Sequence, residues 1–182
     1  MKAAAHPSLT VCSLALSTLT QLLALVPALA AELLRVIQRR AIWPSVLEEG
    51  KLVLEPGNQN DESQCNFSMF RETVMSDALI ACWKAQRSSY LASCASAVEE
   101  FCSKEMSEKL VLPLEAALYC LEVIAPEFLA QEDTWENDNH MNRLLAVLQP
   151  QPQVLMTNSV GRERLCSFVS QVSNEGLVCS CS

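Results

Sequence analysis

Helix-forming segments with an apolar stripe recur in this chain at a spacing of about forty residues. Segments 67–106, 112–148 and 154–172 each read as a helix or a pair of helices. Helix starts at Ser8, Ser68, Pro113 and Val154 head successive units. An insert at 45–65 stretches the first interval, and without it that interval also comes near forty. A helix pair of this size has too little core of its own and becomes stable by stacking on neighbours. The spacing therefore predicts an all-α stack of helix pairs, which is a surface for binding rather than a cleft for chemistry.

Periods of roughly 40–47 residues built from paired helices are those of HEAT and armadillo solenoids. The expected fold is a HEAT-repeat α-solenoid of about three and a half helix pairs. Composition agrees: there are four glycines, and aromatic residues make up 5% of the chain, which gives strands little support. The expected organisation is a first HEAT-like pair over 1–44, an acidic or polar linker or insert over 45–66, further HEAT-like helices over 67–173, and an irregular tail over 174–182.

Within that frame the first helix is expected over 8–26, stopped by Pro27, with its strongest apolar residues Val11, Leu14, Ala15, Leu22, Leu25 and neighbours on a helical stripe. The second is expected over 28–42, stopped before Pro44, with Arg35, Arg39 and Arg40 in its last turn to favour the negative end of the helix dipole. The insert holds Gly50, Pro56, Gly57 and a polar run over 58–63. The third helix, over 68–85, has Ser68 as its N-cap and a stripe of Phe70, Val74, Ala78 and Cys82 flanked by Met75, Leu79 and Trp83. The fourth, over 89–104, buries Leu91, Cys94, Val98, Phe101 and Cys102.

Pro113 is expected to open the fifth helix, whose stripe is Leu114, Ala117, Leu118, Leu121 and Ala125, and Pro126 to end or kink it. The sixth, over 139–148, buries Met141, Leu144, Leu145 and Leu148. Gln149, Pro150, Gln151 and Pro152 force an extended break. The seventh, over 154–172, uses Leu165, Phe168, Val169 and Val172, and no partner helix follows it.

The N-terminus admits a second reading. Lys2, the apolar run 9–29 and the small residues Ala28 and Ala30 resemble a secretory signal, and Asn66-Phe67-Ser68 is a glycosylation sequon. Against this, Ser8, Thr10, Ser13, Ser17, Thr18, Thr20 and Gln21 dilute the run, which disfavours a membrane span as well. The nine cysteines cannot all pair within one chain, and most fall beside apolar helix positions, where a free thiol behaves as a small hydrophobe. Reduced thiols and an intracellular chain are the expectation.

The net charge of −8 is concentrated between Glu99 and Asp138, where eleven acids face two bases. Such a face disfavours direct nucleic-acid binding and favours basic partners. There is no HExxH, GxSxG, phosphate-binding loop, GxGxxG or CxxC, and Cys179 with Cys181 alone is not a zinc site. His6 lies near the N-terminus and His140 beside acids, where a surface histidine is the better reading than a catalytic base. No enzyme, no metal and no cofactor is expected.

Five segments in order resemble the importin-β family of nuclear transport receptors, in the branch of the SR-protein transportin and its importin relatives. Segment 6–11, from His6 and Pro7, is similar to the start of one family helix, and 37–44, ending in Trp43 and Pro44, to the end of the next. Phe70, Arg71, Val74 and Asp77 mark a third likeness, and 114–121 a fourth. The fifth joins Leu144 and Leu145, the proline break, and Val160, Gly161 and Arg162. Order and spacing agree over most of 7–172. The tail from Glu175 departs from the pattern, and the resemblance implies a central segment of a longer receptor.

The resemblance implies a superhelical array in cytoplasm and nucleus that binds cargo, basic or arginine–serine-rich, and releases it to the Ran GTPase. Glu132, Asp133, Glu136 and Asp138 are the candidate partner-binding residues, weighed against a solvated loop between helices. Arg39, Arg40 and Arg162 could pair with acidic or phosphorylated groups, with ordinary helix-end ion pairing the simpler role. A general HEAT or armadillo scaffold and a secreted helical protein stand as the alternatives.

Overall fold

The computed structural model describes residues 1–6, 8–42, 47–48, 51–52, 62–103 and 108–129, together with 143, 144, 146, 148, 166 and 167. The fold is all-α. Among the described residues, strand pairing is confined to a small antiparallel hairpin, β1 (Leu47–Glu48) with β2 (Lys51–Leu52), in which Glu48 stands opposite Lys51. The helices are α1 (Leu9–Leu23), α2 (Ala30–Arg40), α3 (Glu62–Phe70), α4 (Ser76–Ala85), α5 (Arg87–Ser103) and α6 (Glu108–Leu129). The chain divides into two compact units, Met1–Tyr90 and Leu91–Ser182.

In the first unit, α4 packs against both α1 and α2. A short 3₁₀ strap, Lys2–Ala5, lies on α1 and α2 and buries Ala4 completely. The core between them is Cys12, Leu16, Leu23, Leu33, Leu34, Ile37, Ala78, Leu79, Cys82 and Trp83. Each fully buried leucine or isoleucine here contributes about 1.5–3 kcal/mol by leaving water.

The boundaries differ from expectation in instructive ways. α1 ends at Leu23 rather than at residue 26, and a turn joins Leu25 N–H and Val26 N–H to the Leu22 carbonyl. Val26 leaves helical geometry at φ −133°, ψ 74°, because the ring of Pro27 crowds the residue before it. Pro27 then opens a 3₁₀ turn, Pro27–Leu29. α2 ends at Arg40 with Arg39 and Arg40 in its last turn, whereas Arg35 lies mid-helix and outside the reach of the C-terminal dipole.

The third expected helix starts earlier than residue 68. Glu62 already begins α3, so the end of the predicted insert is helical. Ser68 is therefore inside a helix and not an N-cap; its hydroxyl donates to Glu72 Oε1 at 2.9 Å. Between α3 and α4 the helix widens into a π turn, Arg71–Met75. The wider turn holds Arg71 and Met75, four residues apart, on the buried side. Carbonyls loosened by it are met by hydroxyls: Thr73 donates to Met69 O at 2.7 Å and Ser76 to Arg71 O at 2.8 Å.

In the second unit α6 is buried nearly all round. The expected stripe of Leu114, Ala117, Leu118, Leu121 and Ala125 is buried, and so are Glu115, Ala116, Tyr119, Cys120 and Ile124. A helix buried on most of its sides belongs at the centre of a unit. Its prolines neither open nor end it. Pro113 is the sixth residue and Pro126 stands in the last turn. Each removes an i→i−4 hydrogen bond, a cost of about 3 kcal/mol in a helix interior that the surrounding burial offsets. α5 buries Leu91, Cys94 and Val98 as expected, with Phe101 half-buried. Arg143, Leu144, Ala146 and Leu148 are helical, with Leu144 and Leu148 buried as their spacing predicts.

Candidate functional site

The four acids singled out from sequence, Glu132, Asp133, Glu136 and Asp138, lie outside the described residues, as do His140, Arg162, the 149–152 break and the 174–182 tail. Of the remaining candidates, Arg39 is exposed near the end of α2, and Arg40 is half-buried with its guanidinium beside the Cys12 thiol. His6 is exposed and has a local role: its Nδ1 accepts the Ser8 N–H at 3.1 Å, which ties down the residue preceding α1.

The surface that stands out was not selected by sequence reasoning: most of the apolar stripe expected on the first helix faces outward. Leu14 is 68% exposed and Leu25 79%, and Val11, Leu22 and Val26 are exposed with them. The core side is instead Cys12, Leu16 and Leu23. The reason is compositional. From Ala3 to Ala31 the chain carries no Asp, Glu, Lys or Arg, so only the uncharged Thr10, Ser17, Thr18 and Gln21 mark the outward side of α1, a weak contrast for periodicity to read. Thr18 and Thr20 turn their hydroxyls back onto the Leu14 and Leu16 carbonyls, at 2.8 Å each, and so present little polarity of their own.

The strap and α1 together form a shallow, open, largely apolar groove lined by Met1, Ala3, Val11, Leu14, Ala15 and Leu19. Beneath the strap, the Cys12 thiol donates to the Ala4 carbonyl oxygen at 2.9 Å. Burial raises the Cys12 pKa above that of an ordinary thiol, and the Arg40 guanidinium opposes that rise. Groove and strap supply contact area and shape, without a nucleophile–base pair.

Cys12, Cys82, Cys94 and Cys120 are buried cysteines, and Cys166 is an exposed one. Burial pushes Cys82 up to about 12, which makes it an inert hydrophobic group at neutral pH. Arg143 pairs with Glu99 at 2.6 Å, and the Ser167 hydroxyl donates to a Glu122 carboxylate oxygen. Among the described residues, no helix is long and apolar enough to cross a membrane, and no three His, Cys, Asp or Glu side chains gather as a metal site would require. No protein-family model, curated protein or solved structure matches the chain.

Proposed function

We propose that this chain is a protein-binding helical scaffold of the HEAT-solenoid kind and, more narrowly, a segment of a nuclear transport receptor of the importin-β type. The observation that carries the scaffold reading is the outward apolar row of α1. A helix that keeps Val11, Leu14 and Leu22 outside, with Leu25 exposed in the turn after it, is suited to being covered by other helices or by a partner protein. In a stack of helix pairs each pair offers its neighbour such a face.

The order of the five family-like segments narrows the reading to transport receptors. Two of those segments, around Phe70 to Asp77 and Leu114 to Leu121, fall on helices, with Phe70, Arg71, Leu114 and Leu118 buried and Asp77 exposed. On this reading the protein acts by contact and not by catalysis, in cytoplasm and nucleus. Its acidic segment, with Glu132, Asp133, Glu136 and Asp138, meets basic or arginine–serine-rich cargo, and Ran in its GTP form displaces that cargo.

The test is a pull-down with the full-length gene product, Ran loaded with GTP, and an arginine–serine-rich peptide. The expected result is saturable peptide binding that Ran-GTP reverses. Binding of neither would end the transport reading and leave the general scaffold.

The uncharged α1 and the exposed sequon residue Asn66 favour one second reading, a secreted helical protein. Intact mass of the chain produced in eukaryotic cells separates the two. Cleavage near Ala30 or a glycan on Asn66 would establish secretion, and an unmodified mass would remove it.

A further inference from the structure

We draw no further inference here: the strongest candidate, the exposed apolar groove between the N-terminal strap and α1, is an unpartnered face, and nothing in the structure shows what covers it.

Discussion

Trp83 and Tyr90 meet edge to face, their ring centroids 5.9 Å apart and their planes at 82°. The pair closes the corner where α4 gives way to α5. Gln86 leaves helical geometry there, at φ −149°, and its N–H returns to the Cys82 carbonyl. Both rings are buried, and the Arg87 guanidinium lies 6.0 Å from the Trp83 ring centroid. The corner thus combines area burial with ring geometry and a cation over an aromatic face.

Tyr90→Ala is expected to cost about 3–5 kcal/mol, the range for losing a large buried aromatic side chain. Arg87→Ala, at an exposed position, is expected to cost about 0.5–1 kcal/mol. Urea unfolding followed by far-UV circular dichroism measures both. Equal effects would mean that the corner is held by the cation and not by the ring pair.

The facing of α1 makes a second, sharper prediction. Leu16→Ala is expected to destabilise by about 2–5 kcal/mol. Leu14→Ser and Leu25→Ser are expected to stay within about 0.5 kcal/mol of the parent, as surface substitutions do. The same unfolding measurement decides it. A large loss at Leu14 with tolerance at Leu16 would show that α1 is turned the other way.

Cys82 couples stability to alkaline pH. Its thiol is neutral when protonated, and the folded state holds that proton up to about 12, against 9.0 for the free group. Above about pH 9 the unfolded chain releases the proton first, so the folded state loses ground as pH rises toward 12, by up to about 1.4 kcal/mol per pH unit. Below pH 9 the contribution is fully present. Cys82→Ala is therefore expected to lower stability at pH 8 while flattening its decline between pH 9 and 11, read as the denaturant midpoint at each pH. A parallel decline in both proteins would assign the alkaline loss to other groups.

The Arg143–Glu99 pair is short but more than half of the Arg143 side chain is exposed. A double-mutant cycle with Arg143→Ala and Glu99→Ala is expected to give a coupling of about 0.2–1 kcal/mol, weaker in 1 M salt. A larger coupling that survives salt would show that the pair is shielded from solvent.

The helices were legible wherever one side of them is polar. α5 reads off its sequence because Leu91, Cys94 and Val98 alternate with Ser89, Ser96 and Glu100, and Leu144 and Leu148 do the same beside Arg143. Legibility failed where polarity gave no contrast. α1 carries no charge, and Thr10, Ser17, Thr18 and Gln21 mark its outward side only weakly, so its apolar stripe was read along the outer row. Along α6, Glu115 is fully buried, although a carboxylate ordinarily marks an exposed flank. Local signals also yielded to longer ones. Ser68 has the chemistry of a helix cap, but the helix had already begun at Glu62, and Pro113 is accepted inside α6 because burial on every side outweighs one missing hydrogen bond. The groove was missed for the same reason as the α1 facing, and the signal that could have found it is the charge-free run from Ala3 to Ala31.

That run has a consequence for how the fold is specified. Half a revolution of α1 about its axis would bury Thr10, Ser17, Thr18 and Gln21 together with Leu14, so water exclusion favours the observed setting, though no charge enforces it. The small thiol at Cys12 fits beneath the Ala4 carbonyl, and Leu16 is fully buried. Writing charge onto the outward side, for example Leu14→Glu with Leu22→Lys, would widen the difference between the two settings, trading any capacity to be covered for a single unambiguous register.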